Sequence, residues 1–292
     1  MADPGDVRTG DVLWAPAKSL WITAMFTGAV VGGSLTLSWS AVVVFVALSL
    51  LVLLLGHTLG SHRKLIHNSF ACPRWLALAL IACGIQVGLD GPLGLKRQHD
   101  LRDLAQRQPD CHPFLRHGRS FWVDAWWQLH CELRLPRPPT LPAAPHEPLL
   151  ELMERTWRLQ VLLTAVPLWC LGGWAFVWWG LCARVTAGVV GHWLVGYFAH
   201  NHGSQPVRLP AVAVQGRNLA GISLLTMGEC WHNNHHADPT SARLGWRSGE
   251  WDPGWWMLCG LARLGWVWDL RAPRFTAAAT ADTQAPLAEE IR

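Results

Sequence analysis

The chain has 292 residues, a length that would suit one or two soluble domains, but its composition is typical of a membrane protein. Hydrophobic residues make up 51% of the sequence and charged residues only 15%, against about 25% charged residues in ordinary globular domains. The net charge of +4 comes from 24 basic and 20 acidic residues, without a basic block of the length that nucleic-acid binding requires. The eight cysteines show no CxxC spacing, which favours buried thiols over a disulfide-rich secreted domain or a zinc site.

Four apolar segments are predicted to cross a membrane as two helical hairpins. The first hairpin comprises residues 19–37 and 40–56, each close to the roughly 20 residues that a spanning helix needs. The second comprises about 157–178 and about 180–199, with Arg184 and His192 inside its last segment. Such side chains are costly in hydrocarbon unless they face a polar interior. A shorter run at about 75–89 predicts a helix that is embedded without crossing.

The distribution of basic residues predicts the orientation of these segments. Residues 57–156, between the hairpins, contain twelve lysines and arginines, and basic loops remain in the cytosol. Both chain termini and the region between the hairpins are therefore expected to be cytosolic. The predicted organisation is an N-terminal segment (1–18), one membrane domain with a cytosolic cap (19–274), and a disordered tail (275–292).

Histidines carry the functional information in this sequence. There are fourteen, and all but His192 lie at a predicted cytosolic end of a span or in a cytosolic segment. A single histidine at the membrane interface is more often an amphipathic surface residue than a metal ligand. The run His232, His235 and His236 differs, because positions i, i+3 and i+4 share one helical face and imidazole is a common metal ligand. The sequence therefore predicts a metal site on the cytosolic side.

The region around this run resembles the third histidine box of the membrane-bound di-iron fatty acid desaturases of the stearoyl-CoA, delta-9 type. The match runs from Gly228 to Pro239 and continues into Ser241-Ala242-Arg243. The first box of that family has two histidines five residues apart, and two pairs here fit: His57 with His62, and His62 with His67. An ungapped match from Thr58 to Trp75 favours His62 and His67 as ligands, which leaves His57 as a neighbour at the membrane edge.

The resemblance also implies a ligand at His200, which follows the family-like Trp193-Leu194-Val195. In this segment the chain differs from the family pattern at one position, since Gly196 stands where the family has an asparagine.

The second box departs further from the family pattern. At the expected distance after Gly91-Pro92, only His99 is a histidine, while Arg102 and Asp103 stand where the family has histidines. His99 and Asp103 are i, i+4 and can face one metal, and a carboxylate is an acceptable iron ligand, so Asp103 is predicted to bind iron. Arg102 cannot coordinate. It is expected to pair with Asp103 or Asp100 and to tune the charge of the site.

Two alternatives remain for the second box. His112 or His117 could supply the missing nitrogen, or the charged residues around Asp103 could simply form a solvated face.

The resemblance implies an all-α integral membrane protein in which two transmembrane hairpins support a cytosolic helical cap. That cap would hold two iron ions, which activate dioxygen and leave a cis double bond in a fatty acyl chain. The substrate could be an ester of CoA, of a carrier protein or of a phospholipid. Electrons are expected from a ferredoxin or a small haem carrier with its reductase. The implied metal ligands are His62, His67, His99, Asp103, His200, His232, His235 and His236.

Other functional classes fit the same residues less well. Altered ligands could turn the same centre into a fatty acyl hydroxylase or another oxygenase. The changes at Arg102 and Gly196 could also mark a degenerate member that binds metal or lipid without turnover. A histidine-lined transporter is disfavoured, since almost all histidines lie outside the predicted spans.

Overall fold

The structure is a computed structural model that describes residues 5–210 and 212–274, so the predicted disordered tail lies outside the described residues. The fold is helical, as predicted, and long apolar helices form its framework. Two helical segments, Trp39–Ile66 and Pro148–Asn201, are long and apolar enough to cross a membrane.

The first two predicted segments are helical, and the second helix continues past the predicted end at residue 56 to Ile66. The elements of this first hairpin are α1 (Pro16–Thr27), π1 (Gly28–Gly32), α2 (Gly33–Leu35), α3 (Trp39–Leu51) and π2 (Val52–Ile66). The first three form one helical run, and α3 continues directly into π2. Ser38 begins α3, because its side chain accepts a hydrogen bond from the backbone N–H of Ala41 at 3.3 Å. The two predicted helices are therefore separated by a tight turn.

The second hairpin turns earlier than the sequence predicts. Its elements are α7 (Pro148–Leu163), α8 (Ala165–Val177), π3 (Trp178–Ala183) and α9 (Arg184–Asn201). The predicted turn near residue 179 is wrong, because the chain remains helical there and breaks at Gly172 and Gly173 instead. Gly173 has φ +63° and ψ −154°, a conformation essentially restricted to glycine. Paired glycines, and not the last apolar residue, therefore determine the position of the turn.

The remaining elements lie around the ends of these hairpins. They are β1 (Asp11–Trp14), α4 (Arg74–Ile85), α5 (Pro92–Ala105), α6 (Phe121–His130), β2 (Cys131–Arg134), α10 (His232–Ala237) and α11 (Pro253–Arg263). The strands pair antiparallel, with Asp11 opposite Arg134 and Trp14 opposite Cys131. This short ribbon was not predicted, because four-residue strands lack a recognisable alternation. The embedded helix predicted at about 75–89 corresponds to α4.

Close contact between π2 and α4 positions the histidines of the first box. Gly56 and Gly60 on π2 face the backbone of α4, and Gly84 on α4 faces the backbone and Ser61 side chain of π2. A Cβ atom at any of these glycines would overlap the opposite helix, so small residues permit the approach. All the described cysteines except Cys170 are buried or half-buried, as the sequence predicts.

Candidate metal centre

Four histidines from separate parts of the chain converge into one group, His62, His67, His99 and His235. Each offers one ring nitrogen, and these nitrogens all lie within 4.8 Å of one another. The Nε2 atoms of His67 and His99 are 3.4 Å apart. His62 and His235 are only 7% and 2% exposed, so the centre of this four-histidine group is shielded from water.

The π-helical geometry of π2 explains the spacing of the first box. In a π-helix the backbone hydrogen bonds run from residue i to i+5, so side chains five residues apart lie on the same side. The backbone N–H of His67 donates to the carbonyl of His62 at 3.1 Å, and the centroids of their rings are 4.8 Å apart. In an α-helix the same spacing would direct the two rings to different sides.

Three further histidines form a second group, which consists of His200 at the end of α9 and His232 and His236 on α10. The Nε2 atoms of His200 and His232 are 3.1 Å apart, and those of His232 and His236 are 2.9 Å apart. The third box therefore divides between the groups. Its i, i+4 pair joins this three-histidine group, while His235 belongs to the four-histidine group.

The donor chemistry of both groups fits metal ions. Burial is the main cause that lowers the pKa of His67, His232, His235 and His236, and for His67, His232 and His235 neighbouring histidines lower it further. These rings are therefore neutral near pH 7, and the neutral imidazole is the form that binds a metal. Nitrogens gathered at such distances, without acidic residues among them, suit iron, copper or zinc.

A half-buried carboxylate, that of Glu229, lies against the four-histidine group. Oε2 of Glu229 lies 2.7 Å from Nδ1 of His62. The carboxylate therefore lies directly beside a candidate ligand. Glu229 was quoted within the third-box match but was not assigned a role. Its position three residues before His232 was the available signal, but sequence spacing alone does not place it against the first box.

Comparisons with known proteins identify the family. Residues 37–247 match the family described as "Fatty acid desaturase". The chain is 31% identical to the sn-1 stearoyl-lipid 9-desaturase of Anabaena variabilis over 231 residues, which cover 78% of this chain and 83% of that protein. It is 31% identical to the sn-2 palmitoyl-lipid 9-desaturase of Nostoc sp. (strain 36) over 258 residues, 84% of this chain and 88% of that protein.

The chain belongs to the fatty acid desaturase family. It is therefore an oxidoreductase, and the histidine groups lie in the part of the chain that the family covers. An acyl-CoA C20 Delta5-desaturase of Anemone leveillei is also similar, at 29% identity over 249 residues, 82% of this chain and 76% of that protein.

In this desaturase Asp103 does not share a group with the histidine nitrogens. Its Oδ2 lies 3.6 Å from Nδ1 of His99, whereas Nε2 of the same ring faces His67. The carboxylate is thus beside a candidate ligand, on the ring nitrogen that is turned away from the other histidines. Its negative charge also tends to raise the pKa of His236, a member of the three-histidine group.

The prediction that Arg102 pairs with Asp103 or Asp100 is wrong. Arg102 donates to Nε2 of His117 at 2.8 Å and to the side-chain carbonyl of Gln128. Lys96, at 2.7 Å, pairs with Asp100 instead. The side chain of Arg102 turns in this direction because a buried carboxylate, that of Asp124, lies behind the His117 ring.

The alternative donors His112 and His117 lie outside both groups. Nδ1 of His117 is 2.8 Å from Oδ2 of Asp124, and a Cβ atom on Gly196 would lie only 2.9 Å from Nε2 of His117. The glycine at position 196, where the family has an asparagine, therefore leaves space for the His117 ring. The ring of His112 stacks on Trp127 with a centroid distance of 6.0 Å.

His57 also remains outside both groups. Its ring stacks over His62 with a centroid distance of 6.4 Å and contacts His192 at 5.1 Å, on the side toward the apolar helices.

An open, mainly apolar cavity of about 590 Å³ lies beside the C-terminal part of α9. Val195 and Phe198 of α9 line one wall, and Asn218, Leu219 and Ile222 line the other. The Asn218 side chain donates to Oδ1 of Asn234 at 2.9 Å and so connects this wall to α10. The cavity has the polarity that a hydrocarbon chain requires.

Proposed function

We propose that the desaturase binds two iron ions and uses dioxygen to insert a cis double bond into an acyl chain of a membrane glycerolipid. The observation that carries this proposal is the convergence of two adjacent, buried histidine groups within a fatty acid desaturase. One iron would be held by His62, His67, His99 and His235, and the other by His200, His232 and His236.

Iron, when bound, supplies the activation of dioxygen that breaking an unactivated C–H bond requires. The protein contributes position and environment. Buried histidines with lowered pKa values remain neutral, the Glu229 carboxylate lies against the His62 ring, and the apolar cavity beside Val195 and Phe198 would accept the acyl chain. Reduction of dioxygen to two waters takes four electrons, and the methylene pair supplies two. A ferredoxin or a small haem carrier, with its reductase, is proposed to supply the other two.

The names of the relatives favour a glycerolipid as the carrier of the acyl chain. Two of the similar proteins are named as stearoyl-lipid and palmitoyl-lipid desaturases, at 31% identity, whereas the acyl-CoA desaturase is 29% identical. We place the metal centre on the cytosolic side of a protein with four spans. The two long apolar segments, the second of which breaks at Gly172–Gly173, account for three spans, and we propose the helical run from Pro16 to Leu35 as the fourth. The basic region 57–156 supports the orientation.

The lipid profile of a host that makes only saturated lipids tests the reaction. Expression of the desaturase should produce cis-monounsaturated acyl chains in glycerolipids, before they are found in the acyl-CoA pool. Hydroxylated acyl chains would favour the oxygenase alternative. An unchanged profile, with iron bound and an electron donor co-expressed, would favour a member without catalytic activity.

His57 and His67 provide a test of the first box. Because His67 belongs to the four-histidine group and His57 does not, His67→Ala should lose all product while His57→Ala retains substantial activity. Product yield should be normalised to the amount of protein in the membrane. The opposite ranking would assign the first box to His57 and His62.

Asp103 is proposed to act through His99, because its carboxylate contacts the His99 ring and not the shared nitrogens. Their separation of 3.6 Å is longer than a hydrogen bond, so the effect is expected at the lower end of the roughly 10–100-fold that loss of an orienting carboxylate costs in affinity or activity. Asp103→Asn should fall in this range for activity and should retain most of its iron. If Asp103→Asn loses one iron outright while Asp103→His retains it, Asp103 is instead a direct ligand, as the sequence predicts.

A further inference from the structure

Gln106 occupies an unusual position beside the three-histidine group. It follows the last residue of α5, one turn after Arg102, and it is only 2% exposed. Its backbone N–H donates to the carbonyl of Arg102 at 2.9 Å, and its carbonyl accepts from the N–H of Val214 at 2.9 Å. The backbone is therefore fixed on both sides, and the side chain extends from a fixed point.

The amide of Gln106 reaches the histidine nitrogens themselves. Its Nε2 lies 3.2 Å from Nε2 of His200, the same atom that is 3.1 Å from Nε2 of His232. The amide nitrogen also donates to the carbonyl of Leu115 at 3.1 Å. The Gln106 amide nitrogen therefore lies about as far from the His200 ring nitrogen as the ring nitrogens of this group lie from one another.

The oxygen of the same amide has no hydrogen-bond partner among the described residues, although it is buried. An unsatisfied buried acceptor costs about 1–3 kcal/mol, so natural proteins rarely retain one without a reason. The oxygen and nitrogen of an amide have nearly the same shape, and a half-turn about the last side-chain bond exchanges them. That half-turn would bring the oxygen to 3.2 Å from Nε2 of His200, the position that the nitrogen now occupies, and it would break the hydrogen bond to the Leu115 carbonyl, a loss that binding a metal has to outweigh.

The three-histidine group also has fewer nitrogen donors than its neighbour. It has one histidine fewer, and Arg102, at one of the second-box positions, is turned away toward His117 and Gln128. Amide oxygens are established metal ligands. We propose that the side-chain oxygen of Gln106 completes the three-histidine group as a metal ligand, in the place of a missing histidine of the second box. This inference rests on the proposed binding of two irons.

Iron content and Mössbauer spectra of the full-length protein, purified in detergent after growth on the Mössbauer-active isotope, test the inference. Gln106→Met keeps the length of the side chain and removes the oxygen. It should bind about one iron per chain instead of two, or release one of the two to a chelator at least tenfold faster. Gln106→Glu, which keeps an oxygen donor, should retain both irons and change the spectrum of one of them only.

Gln160 provides the matched control, because its amide bonds to Met153 and Thr156 within α7, away from both groups. Gln160→Met should bind iron as the unmodified protein does. If Gln106→Met keeps two irons with unchanged spectra and chelator kinetics, Gln106 is not a ligand. If Gln106→Met fails to fold, an unchanged spectrum in Gln106→Glu overturns the inference equally. Absence of iron from the unmodified protein would overturn the proposed function itself.

Discussion

Replacing His235 by alanine is expected to abolish desaturation and to reduce the bound iron from about two ions per chain to about one. His235 is 2% exposed and is the member of α10 that joins the four-histidine group. Its ring centroid lies 4.5 Å from that of His62 and 4.6 Å from that of His67. Its loss removes a nitrogen from the middle of the group, so the effect should exceed the roughly 10–100-fold that loss of an orienting partner costs.

Iron analysis and acyl-chain profiles of the same preparation measure this effect. His146→Ala is the matched control, because the His146 side chain is 92% exposed and lies in the loop before α7. It should match the unmodified protein in iron and product. Normal iron content and normal product in His235→Ala would refute the assignment of the four-histidine group.

The histidine positions could be predicted because they depend on short-range spacing. The helical placement of His232, His235 and His236 on α10 agrees with the i, i+3, i+4 pattern. Their division between two groups could not be predicted, since it depends on how α10 meets π2 and α9 in space. The five-residue spacing of His62 and His67 was recognised as a motif, and only the π-helical backbone explains it physically.

The departures from prediction share a cause, namely partners that are distant in sequence. Arg102 turns toward His117 because Asp124 is buried behind that ring, and no local pattern connects α5 with α6. Glu229 contacts His62 although the two residues are far apart in the sequence. The turn at Gly172–Gly173 is different, because the two glycines were visible in the sequence. Because the residues on both sides of the two glycines are apolar, the length of the apolar run did not reveal where the turn lies.

Asp252→Asn is expected to lower the free energy of unfolding by about 3–5 kcal/mol, the typical cost of removing one partner of a buried ion pair. Arg63, between the two histidines of the first box, donates to Oδ1 of Asp252 at 2.7 Å, and the two side chains are 1% and 2% exposed. Arg63 also donates to the carbonyl of Ala242 at 2.6 Å. Oδ2 of Asp252 accepts from the N–H of Leu244 at 2.7 Å. This pair connects π2 to the segment that follows the third box.

Loss of the pair should therefore also loosen the four-histidine group, since π2 supplies His62, His67 follows directly after π2, and α10 supplies His235. Denaturant unfolding in detergent would measure the free energy, and iron retention after mild heating would report the effect on the site. Arg74→Met is the control, because Arg74 pairs with Glu147 at the surface with 67% of its side chain exposed, where such a pair contributes at most about 1 kcal/mol. The double variant Arg63→Met/Asp252→Asn should recover part of the lost stability, because neither charge is then buried without its partner. Equal stability of Asp252→Asn and Arg74→Met would show that the buried pair does not hold the two boxes together.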